Sequence, residues 1–180
     1  MIEKNLDIKR LYLLYRFLTN LDEETRIYFH DSFIHPLYKN PSSLLSYTRL
    51  FLSMVFPEYV ILKMFPRLAL KTATIILNQS VQGFAYLTFK QLPSSAEYES
   101  TLGMVIDERF RRMGMGTLLL GFLIREARKI NATKMTIIVL KQNQSAISLY
   151  KKHGFKIIEE NSDSFDGKTW KAFSMELNLP

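Results

Sequence analysis

The run from Val105 to Thr117 reads Val-Ile-Asp-Glu-Arg-Phe-Arg-Arg-Met-Gly-Met-Gly-Thr. Gly114 and Gly116 leave backbone N–H groups uncovered just where an apolar, helix-patterned stretch begins. Bare amides at the positive end of a helix make an anion site. Arg111 and Arg112 add charge beside it, and a diphosphate suits the arrangement. No Lys-Ser/Thr pair follows the second glycine, so this is not a Walker A loop. Two glycines rather than three exclude the dinucleotide fingerprint. Taken alone, the same residues also describe a glycine turn flanked by solvated arginines.

A second segment lies one strand further on, Asn143-Gln-Ser-Ala-Ile-Ser-Leu-Tyr-Lys-Lys-His-Gly-Phe155. With it the chain resembles the GNAT acetyltransferase superfamily over about residues 72–177. Arg111–Gly116 is similar to that family's [Arg/Gln]-x-x-Gly-x-[Gly/Ala] acyl-CoA loop. Asn143–Phe155 is similar to its Asn-x-x-Ala-x-x-Leu-Tyr-x-Lys-x-Gly-Phe pattern, and the two come in the expected order. The resemblance implies a mixed α/β fold with a central, mostly antiparallel sheet, splayed middle strands and flanking helices. No Gly/Ser-rich linker splits the chain, so one domain is expected over residues 1–180, with a helical N-terminal part at 1–70 and, on the resemblance, a CoA-binding core at 72–177.

The resemblance also implies roles. The backbone of Met104, Val105 and Ile106 would pair with the pantetheine arm of acetyl-CoA as an added strand would. The amides of Arg111, Arg112, Met113, Gly114, Met115 and Gly116 would hold the diphosphate, with the Thr117 hydroxyl at the helix start. Asn143 would help order the site, and Tyr150 would face the thioester sulfur. Direct attack by a primary amine creates a tetrahedral oxyanion, which needs a donor such as an N–H of the Met104–Ile106 strand. The departing thiolate needs a proton, and the Tyr150 phenol is the expected general acid. Without the motif, Tyr150 would read as a core aromatic.

The base is less defined. In this family a Glu on the strand entering the site often takes the amine proton. Glu99 and, next to it, Glu97 are the candidates here, both on one strand face by alternation. Otherwise they are surface acids. His153 reads as a helix C-terminal residue near the dipole, and His30 and His35 lie far from either motif. Three scattered histidines and no cysteine give no metal-ligand pattern, so no metal is expected.

The absence of cysteine also excludes a disulfide framework and a thiol nucleophile, and fits a cytoplasmic protein. The apolar fraction of 47% over 180 residues is that of one globular core. No secretory signal is visible in Met1–Arg10. Arg49, Glu58, Lys63 and Arg67, with Pro57 and Pro66, interrupt the apolar Leu44–Leu70 stretch, so no stable membrane insertion is expected.

The net charge is +7, and residues 39–90 carry six bases against one acid, Glu58. This basic segment disfavours a bulky polycation and favours an anionic or neutral small-molecule or peptide amine as acceptor. Nucleic-acid binding is not expected, because no helix-turn-helix, zinc or ribonucleoprotein-type pattern accompanies the charge. A non-catalytic acyl-CoA-binding or regulatory module on the same fold is the alternative, since fold does not fix function. The apolar C-terminal strands could pair two copies in a homodimer.

The elements that must position these residues follow from periodicity. Ile8–Leu18 is a helix, with Asp7 as its N-cap. Further helices are expected over Asp22–Tyr28 and Ser42–Phe56. Leu68–Leu77 and Gln82–Phe89 read as a hairpin around Asn78–Gln79, and Tyr98–Ile106 as the next strand. Thr117–Ile130 is a helix that Asn131 can end. Lys134–Leu140 is a buried strand, and Gln144–His153 a helix with Asn143 as N-cap and Gly154 just past its end. Phe155–Glu159 and Trp170–Leu177 are the last strands, expected to flank a polar loop at Glu160–Thr169. A first strand could come only from the short Met1–Leu6.

Overall fold

The computed structural model describes residues 2–3, 8–22, 25, 70–77, 79–92, 97–165 and 168–180. Its elements are β1 (Ile2–Glu3), α1 (Ile8–Thr19), β2 (Leu70–Leu77), β3 (Ser80–Gln91) and β4 (Tyr98–Ile106). After a 3-10 turn at Glu108–Phe110 come α2 (Met115–Lys129), β5 (Ala132–Leu140), α3 (Gln144–Lys152), β6 (Lys156–Phe165) and β7 (Lys168–Asn178). The strands form a seven-stranded sheet in the order β1-β2-β3-β4-β5-β7-β6. The first strand exists but is short, pairing Ile2 with Ile75 and Glu3 with Thr74. The N-cap at Asp7 and the helices expected over Asp22–Tyr28 and Ser42–Phe56 lie wholly or largely outside the described residues.

Alternation along β3 gives the sheet two cores. Ala85, Leu87 and Phe89 join Leu102, Met135 and Ile137 under the α2 residues Leu119, Leu120 and Leu123. The intervening Phe84 and Tyr86 must therefore face the other way, toward α1, which packs on β3 with Leu14 and Leu18 buried. Each fully buried leucine contributes about 1.5–3 kcal/mol.

Every strand pair is antiparallel except β4 with β5. These two are joined through α2, as a parallel connection requires. Their register runs only from Tyr98↔Ala132 to Thr101↔Thr136. Beyond it β4 continues to pair with β3 as far as Ile106, and β5 with β7 as far as Leu140. The sheet therefore splits at its centre. Side-chain hydroxyls stitch the closed end: Ser100 donates to the Lys134 carbonyl at 2.9 Å, and Thr101 and Thr136 meet at 3.0 Å.

One expectation is corrected. The polar stretch Glu160–Thr169 is not a loop across most of its length but the continuation of β6 and β7. The ladder runs from Glu160↔Phe173 to Phe165↔Lys168. The residues from Glu160 to Ser164 are all polar, so no apolar alternation marks the stretch as strand. Helix α2 also begins two residues earlier than its apolar pattern indicated, at Met115.

Candidate active site

Asp107 opens the loop between β4 and α2. It caps the 3-10 turn by accepting from the Arg109 N–H at 3.0 Å and pairs with the Arg109 guanidinium at 2.7 Å. Those bonds from Arg109 hold the Asp107 carboxyl below the ordinary range, against the opposing effect of burial. The chain then takes left-handed conformations at Arg112 (φ 60°) and Gly114 (φ 81°). Gly114 is the N-cap of α2 and makes no side-chain cap bond, so the first-turn amides have no side chain over them. A Cβ at Gly114 would meet nothing within 4 Å. The glycine is there for its backbone angle, which side chains rarely adopt. Gly116 is different: a Cβ there would come 3.1 Å from Leu149, so its bareness lets α3 approach α2.

The loop stands at the open end of the split, and together they line a cavity of about 900 Å³. Of the residues expected at the site, Met104, Val105, Ile106, Arg111, Arg112, Gly114, Gly116, Thr117, Asn143 and Tyr150 line it. Met113 points to solvent and Met115 is buried in the α2 core; neither lines the cavity. Arg111 turns its guanidinium back, donating to the Ile106 carbonyl at 3.3 Å and to the Thr25 hydroxyl. Thr25 is buried and in turn donates to Asp22. The loop is thereby tied to the segment that follows α1.

Asn143 caps α3: its Oδ1 accepts from the Ala146 N–H and the Ser145 hydroxyl, each at 3.1 Å. The cap fixes the helix that carries Tyr150. The Tyr150 ring is 4% exposed and packs against Phe155, ring centroids 5.6 Å apart and planes tilted by 55°, reached through the left-handed Gly154. Burial pushes its phenol well above the usual tyrosine range, so the group keeps its proton at physiological pH. His153 turns its Nδ1 to the Leu149 carbonyl at 2.9 Å, a helix-end role.

The structure places Glu99 away from the open half of the split. It sits beside Lys134 in the closed part of the split, its carboxylate 3.1 Å from the Lys134 ammonium, and it does not line the cavity. Glu97 does not line it either. Among the described residues, the carboxylate that does is Glu108, exposed beside the loop. Among the described residues no group of three His, Asp or Glu could hold a metal, and no helix is long and apolar enough to cross a membrane.

Sequence reasoning missed Thr25, Tyr86 and Gly103 in the lining. Gly103 was the available signal, since a glycine inside a strand often marks a close approach. Here the Tyr86 ring lies across it.

A split sheet with an amide-rich loop at its mouth defines a class, and sequence comparison agrees with it. The model of the acetyltransferase (GNAT) family matches residues 49–155, and the chain belongs to that family. It is similar to an N-alpha-acetyltransferase of Sulfurisphaera tokodaii, 36% identical over 78 residues, or 43% of this chain and 46% of the relative. The match thus spans about half the length of that curated relative. The fold is also that of a GNAT-family acetyltransferase from Streptococcus pneumoniae, with a TM-score of 0.75 and 22% identity, covering 100% of this chain and 99% of that one. It is shared too by the ribosomal-protein-S18-alanine N-acetyltransferase of Escherichia coli, with a TM-score of 0.57 and 19% identity over 99% and 92% of the two chains.

Proposed function

We propose that the protein transfers an acetyl group from acetyl-CoA to a primary amine, and that the amine is the α-amine of a polypeptide. The observation that carries the transfer is the split between β4 and β5. It offers the unpaired edge of Met104–Ile106 to an extended pantetheine arm, and its mouth ends in the Arg111–Gly116 amides at the start of α2. The acceptor class rests on the name of the Sulfurisphaera relative.

The bound thioester lies between two groups of this chain. A β4 amide at Met104–Ile106 stabilises the oxyanion that forms when the amine nitrogen attacks the carbonyl carbon. The C–N bond forms, the C–S bond breaks, and the nitrogen loses a proton to solvent. Tyr150 gives its phenol proton to the leaving sulfur and regains one from water. The products are the N-acetyl amide and CoA thiol.

The test is release of CoA thiol from acetyl-CoA in the presence of a short peptide with an unblocked N-terminus, against the same peptide blocked. Thiol release with the unblocked peptide alone supports the reading. Release only with lysine-bearing blocked peptides moves the acceptor to a side chain. Saturable acetyl-CoA binding without turnover of any amine in a broad panel makes the protein a non-catalytic acyl-CoA-binding module.

A further inference from the structure

We propose that Tyr86 is a specificity-determining residue that walls off the acyl end of the cavity and restricts the transferred group to short acyl chains; the proposal rests on the acyl-CoA reading above. Tyr86 of β3 stands opposite Gly103 of β4 in the ladder, and both line the cavity. A Cβ built on Gly103 would run into the Cε1, Cζ and hydroxyl oxygen of Tyr86, so the ring lies directly over the bare backbone of Gly103. The ring is 1% exposed and packs beside Phe84 at 6.2 Å, which fixes it as a wall.

Position decides what the wall meets. Gly103 immediately precedes Met104–Ile106, the edge the pantetheine arm would follow inward from the Arg111–Gly116 loop. The thioester end of that arm therefore arrives beside Gly103. Two residues further on, Thr101 and Thr136 close the split. An acyl group leaving the thioester thus meets a floor at Thr101–Thr136 and a side wall at Tyr86. An acetyl methyl needs little room there, whereas each added methylene must displace a packed ring, and overpacking a close-packed site is unfavourable.

The experiment compares acetyl-, propionyl-, butyryl- and hexanoyl-CoA at a fixed amine, read as thiol release. For the parent, kcat/KM is expected to fall by about tenfold or more from acetyl to hexanoyl. Tyr86→Leu is expected to raise the hexanoyl-to-acetyl ratio by about tenfold. Tyr86→Phe, which keeps the ring, should leave that ratio within about threefold of the parent. A parent that uses hexanoyl-CoA as well as acetyl-CoA overturns the proposal, as does a folded Tyr86→Leu with the parent ratio. Should Tyr86→Leu not fold, the parent series and Tyr86→Phe decide. A parent that turns over no thioester fails the functional reading instead, and the wall is then read from calorimetric affinities for acetyl- and hexanoyl-CoA, which should differ in the same sense.

Discussion

The guanidinium of Arg111 donates to the hydroxyl of Thr25, joining the β4–α2 loop to a residue 86 positions earlier in the chain. Both residues line the cavity. One side of the cavity is therefore braced by a contact between the β4–α2 loop and the segment after α1.

That brace has a pH signature. Burial pushes the Asp22 carboxyl up, but the bonds from Thr25 and the charge of Arg111 bring it net below its ordinary value of 3.8. A carboxyl with a lowered folded-state pKa adds stability above its unfolded pKa and loses it as pH falls through the folded value. Thr25→Val removes the hydroxyl bonds and should cost about 1 kcal/mol at neutral pH, or a melting shift of roughly 2–4 °C. The gap between parent and variant should narrow below pH 3.8. Melting curves from pH 3 to 7 check this; a gap constant across the range would argue against the brace.

Gly114 is expected to matter for its left-handed backbone rather than for space. A β-branched side chain there costs about 1–2 kcal/mol, so Gly114→Val should weaken acetyl-CoA binding by roughly 5- to 30-fold. Gly114→Asn should lose less, because asparagine visits this region more readily. Equal losses for the two would point to steric exclusion.

Tyr150→Phe keeps the ring packed against Phe155 and removes the hydroxyl. We expect kcat to fall by about tenfold or more with little change in acetyl-CoA affinity. A smaller loss for a poor acceptor whose attack is rate-limiting would fit the same role, whereas full activity with every acceptor would remove Tyr150 from the chemistry.

Glu99→Gln should leave kcat/KM within about threefold, because its carboxylate is committed to Lys134 outside the cavity and a partly exposed surface ion pair contributes only about 0–1 kcal/mol. A large kcat loss with a shifted acidic limb of the pH profile would restore it as the base.

Much of this architecture was legible because it is local. Gly114, Gly116 and the β-branched run Lys134–Leu140 announce a turn, a helix start and a buried strand within a few residues each. The N-cap at Asn143 and the left-handed Gly154 were equally plain. What escaped depends on pairing between distant segments. Alternation alone gave Glu97 and Glu99 the same face but could not tell that the β4–β5 split opens only after Thr101. Tyr86 is one aromatic among many until its register opposite Gly103 is known. Glu160–Ser164 has no apolar alternation of its own, so it reads as loop until its pairing with β7 is known.

The central claim is that the split and its amide loop bind an acyl-CoA by its diphosphate. Titration calorimetry with acetyl-CoA and with acetyl-pantetheine, which lacks the diphosphate, tests it most directly. One saturable acetyl-CoA site is expected, with acetyl-pantetheine weaker by about tenfold or more. No saturable heat with acetyl-CoA, or equal affinity for the two, would contradict it.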